Sequence, residues 1–217
     1  MIAWKSRLRI PLRRERSTMP SEVRPPIDYR FRIALARLRS AGSLRWRLGD
    51  LGSSSFIQRP ALILGHRNIF IGDRTSIRSG ARIEAQARFR HRIPRLEIGS
   101  DTNIEQNVHI MCQSRITIGD RVSITGNCAV VDISHPIGIE IGKIGSAIVD
   151  EDSFVEIADD VFVGFGSVIL PNVRIGKGAV IGANSVVTSD IPAFAIATGA
   201  PARVARMRGS GDGTQHG

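Results

Sequence analysis

From Ile71 onward an isoleucine or valine recurs every six residues. The positions are 71, 77 and 83; 98, 104 and 110; 118, 124 and 130; then 157, 163, 169, 175, 181 and 187. All 15 are Ile or Val, and four residues after each stands Ser, Thr, Ala, Val or Cys in every case but Ile191. An even period keeps every member on one side of an extended chain and does not fit a helix of 3.6 residues per turn. Gly or Asp often follows, as in Ile71-Gly72-Asp73, Ile118-Gly119-Asp120 and Ile175-Gly176. These residues tolerate the backbone a corner needs. The unit is a short strand, a corner and another short strand, with the branched residue pointing inward. One unit cannot bury a core, so units must stack. The blocks make five sets of three hexads, which predicts an all-β solenoid with three sides and about five rungs of 18 residues.

Three interruptions break the period. Residues 89–97 and 136–156 form excursions, and Ile116-Thr117 marks a slip of two residues. The longer excursion opens directly after Ser134-His135-Pro136. Long insertions project from one edge of a solenoid and often line a binding site. Pro136 holds His135 in extended backbone, which fits the end of a strand.

The chain of 217 residues carries a formal charge of +10, a value that suggests nucleic acid until the charge is located. Residues 1–60 hold 14 basic and 4 acidic residues, whereas residues 61–217 hold 16 of each. The excess therefore belongs to the N-terminal segment, and no nucleic-acid partner is expected. Within it, Ile27, Phe31, Ala34, Leu35 and Leu38 recur at helical spacing among several arginines, and Gly42 is expected to end that helix. The division expected is a basic segment over 1–60, partly disordered with a short amphipathic helix, the repeat domain over 61–208, and a disordered tail over 209–217. Met19 is a second candidate start. Two cysteines, Cys112 and Cys128, make neither a disulfide framework nor a Cys-based zinc site, and a reducing compartment is the simplest reading. No stretch approaches 18 uninterrupted apolar residues, and the first 20 do not resemble a secretory signal. A cytoplasmic location is expected.

The hexad pattern resembles the hexapeptide-repeat family, whose fold is a left-handed parallel β-helix. From His135 to Arg206 the chain resembles the acetyl-CoA-dependent acetyltransferases of that family, of the maltose/galactoside and polysaccharide-modifying types. His135-Pro136 lies 15 residues after Asp120 of an Ile-Gly-Asp corner. Downstream stand Val161-Phe-Val-Gly164, Ile169-Leu-Pro-Asn-Val-Arg-Ile-Gly176, Val180-Ile-Gly-Ala-Asn-Ser-Val-Val-Thr-Ser-Asp-Ile-Pro192 and Gly199-Ala-Pro-Ala-Arg-Val-Ala-Arg206. The resemblance implies direct transfer of an acetyl group from acetyl-CoA to a sugar hydroxyl of an envelope polysaccharide, an exopolysaccharide or a lipid-linked precursor. His135 would be the general base. A backbone N–H near Gly164-Phe165 would stabilise the oxyanion. Coenzyme A would run past Gly164, Phe165 and Ala183 in a cleft between subunits, with Thr188, Arg203 and Arg206 towards its phosphates. Ser189 replaces the lysine expected after Thr188, and Phe162 the usual tryptophan. Glu105 and Asn107 stand where the family contacts the acceptor, although Glu105 replaces an asparagine there. A homotrimer is implied, and no metal.

Other readings remain open on the sequence: a γ-type carbonic anhydrase, which needs three histidines around a metal, a non-catalytic hexapeptide scaffold, and a serine acetyltransferase, which needs a helical N-terminal domain. The basic segment has two readings, a membrane-surface helix or a tail with one helix that caps the open end of the solenoid.

Overall fold

The computed structural model describes residues 26–86, 93–135 and 152–209. Among them the chain winds through six rungs, each of three short strands. The first rung uses Asp50–Leu51, Phe56–Ile57 and Leu62–Leu64; the second uses Ile69–Ile71, Ser76–Ile77 and Arg82–Ala85. The third uses Arg95–Ile98, Asn103–Ile104 and His109–Cys112; the fourth uses Arg115–Ile118, Ser123–Ile124 and Ala129–Val131. The fifth uses Phe154–Ile157, Phe162–Val163 and Val168–Ile169; the sixth uses Val173–Ile175, Val180–Ile181 and Val186–Val187. Corresponding strands pair in parallel, so three sheets form three faces. The fold is the expected left-handed parallel β-helix.

The register explains the hexads. Ile77, Ile104, Ile124, Val163 and Ile181 lie directly over one another on the second face. Ile83, Ile110, Val130, Ile169 and Val187 do so on the third. Each is at most 2% exposed, as are all the hexad positions. A fully buried branched side chain contributes about 1.5–3 kcal/mol, and here each one packs on its equivalents above and below.

Three expectations need correction. The coil begins at Asp50 rather than at 61, which adds a rung to the five expected. Ile116 and Ile118 are both buried in one strand, so the two-residue slip falls earlier, at the corner around Gln113 and Ser114. From the second rung onward the first face buries two residues per rung in this way, as in Leu96 with Ile98 and Val155 with Ile157. The excursions also end sooner than expected, before Arg95 and before Phe154.

The Ile-Gly-Asp corners have a definite job. The carboxylates of Asp73 and Asp120 accept the backbone N–H of Ser53 and Ser100 on the preceding rung. Gly119 is required by close approach, since a Cβ there would lie 2.5 Å from Asp159 Oδ1 and 2.8 Å from Asp159 N.

At the N-terminal end, α1 (Ile27–Arg39) runs on into a π-helical turn, Ser40–Leu44. Gly42 therefore lies inside the helical path and does not end it. Ser40 is fully buried, and its Oγ accepts the Ile57 N–H at 3.0 Å. Leu44, Leu48 and Leu51 are buried and close the open end of the coil. Capping is thus done by the turn after α1 and not by the Ile27–Leu38 stripe, which faces solvent. At the other end Ala195–Thr198 extends the second face, and Arg203–Met207 returns antiparallel beside it with all five residues exposed. Of the segments expected to be disordered, 1–26 and 209–217, all but Pro26 and Gly209 lie outside the described residues.

Candidate active site

His135 is exposed, four residues beyond Val131 at the end of the third-face strand of rung four. It stands at the corner that leads from the third face to the first. The residues from 136 to 151 lie outside the described set, but both ends of the excursion are held. Asp132 is fully buried, and its carboxylate accepts the N–H groups of Gln113 (2.6 Å), Ser114 (2.8 Å) and Arg115 (2.8 Å). These are three consecutive amides at the matching corner of the rung below. On the far side of the excursion, the Ser153 hydroxyl donates to the Asp132 carbonyl. One residue thus anchors the entry of the loop to the coil and ties its exit to its entry. Burial raises the Asp132 carboxyl above the usual carboxylate range, while the three amides pull in the opposite direction. The sequence reasoning missed Asp132 and Ser153. Their partners are backbone groups, which leave no side-chain signature.

Five other expected residues stack on a different edge. The register puts Glu105, Thr125, Gly164 and Gly182 over one another, just past the second-face strands. Phe165 and Ala183 follow one place on, and both are exposed. A Cβ on Gly164 would lie 2.5 Å from the Ala183 nitrogen, so close stacking of rungs alone demands glycine there. Asn107 has φ +58° and belongs to a ladder of left-handed corner residues with Asn127, Gly166 and Asn184. Each N–H in that ladder bonds the rung beneath, Asn127 to Gln106 O at 2.9 Å and Asn184 to Phe165 O at 2.8 Å. The corner geometry by itself accounts for an asparagine at 107, because its side chain tolerates that backbone.

Glu105 is held from two sides. Asn103 Nδ2 donates to its Oε1 at 2.6 Å, and Arg78 Nε lies 3.9 Å from the same oxygen. The Arg78 guanidinium also sits over the ring of Tyr29 in α1, 5.7 Å from its centroid. The N-terminal helix therefore packs against the edge that carries Glu105. His109 stands elsewhere: its Nε2 lies 3.5 Å from Oε1 of the buried Glu84 on the third face and makes no hydrogen bond among the described residues.

The expected coenzyme residues also divide. Thr188 follows the last third-face strand, on the same edge as His135 but two rungs above. Arg203 and Arg206 lie on the exposed return strand, paired with Thr198 and Ile196. Within one chain, then, His135 stands on one edge of the third face, and Glu105, Asn107, Gly164, Phe165 and Ala183 stand on the other. A single copy does not bring them together.

Residues 154–189 match the family model described as bacterial transferase hexapeptide (six repeats). A putative acetyltransferase of Schizosaccharomyces pombe is 32% identical over 162 residues, which is 73% of this chain and 74% of that protein. The galactoside O-acetyltransferase of Escherichia coli is 38% identical over 112 residues, and this chain spans only 53% of its length. Among solved structures, the N-acyltransferase AntD from Bacillus cereus, in complex with dTDP and 3-hydroxybutyryl-CoA, superimposes with a TM-score of 0.65 at 22% identity. That match covers 76% of this chain and 85% of AntD. A hexapeptide-repeat acetyltransferase from Vibrio cholerae, complexed with acetyl-CoA, has a TM-score of 0.53 at 25% identity, covering 83% of this chain and 87% of that one. With a relative 32% identical over about three quarters of both chains and three parallel faces built from hexads, the chain belongs to the hexapeptide-repeat acyltransferase family.

Proposed function

We propose that the protein is an O-acetyltransferase that moves the acetyl group of acetyl-CoA to a sugar hydroxyl, with His135 as general base and a homotrimer as the working unit. The observation that carries the reading is the clamp at Asp132. It holds the excursion that follows His135 by both ends at one edge of the coil. The acceptor hydroxyl would give its proton to the His135 imidazole as its oxygen attacks the thioester carbonyl. Collapse of the tetrahedral intermediate would break the C–S bond, and the imidazolium would return the proton to the departing thiolate.

The oxyanion donor can be narrowed. The Gly164 N–H is already bonded to the Ile181 carbonyl at 2.8 Å, and that of Gly166 to the Gly126 carbonyl at 3.1 Å. Among the hydrogen bonds of the described residues, the intervening Phe165 N–H has no acceptor. It is the group left to meet a developing oxyanion. Ala183 on the next rung would border the pantetheine arm, and Arg203 and Arg206 would face its phosphates. Glu105, fixed by Asn103 and Arg78, would accept from acceptor hydroxyls beside Asn107. Because this edge and His135 lie on opposite sides of the third face, the edge of a neighbouring copy would complete each site.

The test is release of free CoA thiol from acetyl-CoA across a panel of nucleotide sugars and oligosaccharides. His135→Ala is expected to lower kcat by about 10²–10⁴-fold, the usual contribution of a positioned base. Full activity in that variant would remove His135 from the chemistry, whereas no thiol release by the wild type with any acceptor would leave the scaffold reading standing.

A further inference from the structure

The helix α1 is amphipathic in the reverse of the usual sense. Its inner side carries the buried Ala36 and the Tyr29 ring that meets Arg78. Its outer side carries Ile27, Phe31, Leu35 and Leu38, spaced as one stripe and turned to solvent. Ile27 is 83% exposed, Phe31 68% and Leu38 72%, and Trp46 beyond the π turn is 78% exposed. Contiguous apolar surface of this kind marks a contact site.

The charges around the stripe identify the kind of surface that fits it. On a helix of 3.6 residues per turn, Arg30 and Arg37 fall along one border of the stripe and Arg32 and Arg39 along the other. Arg45 and Arg47 flank Trp46, and the sole acidic residue between 26 and 49 is Asp28. The 25 residues that lead into α1 add seven basic residues and two acidic ones. Arginine stems lie along apolar surface while their heads reach for anions. A planar interface with acyl chains beneath and phosphates on both sides of the helix satisfies the stripe and both borders together.

We infer that the outward face of α1 is a docking surface for anionic phospholipid. The stripe is free for this, because Leu44, Leu48 and Leu51 already close the end of the coil. Through Tyr29 and Arg78 the helix sits against the edge that carries Glu105. Docking would therefore bring the acceptor side of the proposed site to the bilayer surface, where a lipid-linked sugar would present its hydroxyls. That last step rests on the acetyltransferase reading; the docking itself does not.

The full-length protein is to be sedimented with vesicles of phosphatidylcholine alone and of equal parts phosphatidylcholine and phosphatidylglycerol. The expected result is co-sedimentation with the anionic vesicles only, weakened by added salt. Phe31→Ser with Leu38→Ser touches only exposed positions and should lower the bound-to-free ratio roughly tenfold or more, with unchanged circular dichroism. Arg30, Arg32, Arg37 and Arg39 changed together to Gln should do the same. No binding by the wild type overturns the inference. So does a stripe variant that binds as the wild type does, since the basic leader alone would then explain the binding. A stripe variant that keeps its vesicle binding but loses its oligomeric state would assign the face to a second copy of the chain. Vesicle binding by a wild type that acetylates no sugar would count against the acetyltransferase reading only.

Discussion

Asp132 is the residue whose chemistry reaches furthest. Replacing it with Ala leaves three amide hydrogens without their acceptor, of which the buried one at Gln113 costs about 1–3 kcal/mol and the half-buried ones at Ser114 and Arg115 less, and it frees the entry of the loop behind His135. The carboxylate touches no substrate in the proposed reaction, so it is a positioning residue. Asp132→Ala is expected to lower kcat at least tenfold, a shift of about 1.4 kcal/mol in the barrier. The KM for acetyl-CoA should change little, since the residues proposed to face the pantetheine arm lie on the other edge. Asp132→Asn, which keeps one carbonyl acceptor, should fall between the two. Steady-state kinetics on all three proteins checks this; an unchanged kcat in the Ala variant would mean that the clamp does not aim the histidine. The two cysteines behave differently from catalytic ones. Burial pushes both thiols above their ordinary value, so neither offers a thiolate near neutral pH.

At the scale of elements, the hexads predict the three faces because each rung repeats one constraint, a branched side chain stacked on its equivalents. Rung one escaped the same reading for a physical reason. Its inward residues Leu51, Ile57 and Ile63 also stand six apart, but Leu51 departs from the Ile/Val rule. The period then shifts by two at the Ile69–Ile71 strand, where the first face buries two residues in place of one. The candidate site was legible where it rests on local sequence, as with His135 before Pro136. It was not legible where it rests on backbone contacts between rungs, as with Asp132. The division of the site between two edges follows from which corner each residue occupies, and that needs the rung phase as well as the motifs. The same corner logic separates two glycines. Gly42 has nothing within 4 Å of an added Cβ and lies in a helical turn, so Gly42→Ala should stabilise by about 0.5–1 kcal/mol. Gly119 meets the Asp159 backbone, and Gly119→Ala must push two rungs apart. Thermal melts should rise by roughly 2–4 °C for the first, at about 1 kcal/mol, and fall for the second. A fall for both would place Gly42 under a constraint that its open surroundings do not reveal.

For the whole molecule, the separation of His135 from Gly164, Phe165 and Ala183 makes oligomer formation a condition of activity in the proposed mechanism. The idea can be tested without imaging an interface. His135→Ala removes the base from one edge. Ala183→Trp, at an exposed corner, puts a large ring into the proposed path of the pantetheine arm on the other edge. Each variant alone should be inactive and well folded. When the two are mixed in equal amounts, unfolded and refolded together, some neighbouring pairs will join an intact histidine edge to an intact coenzyme edge. In a closed cyclic assembly with random mixing, about a quarter of the sites are of this kind, so about a quarter of wild-type activity should return. A site contained within a single chain would recover nothing, because every copy would carry one lesion or the other. Size-exclusion chromatography with light scattering on the same samples gives the number of copies. Recovered activity from a monomer would contradict the shared-site proposal as firmly as the absence of recovery from a trimer.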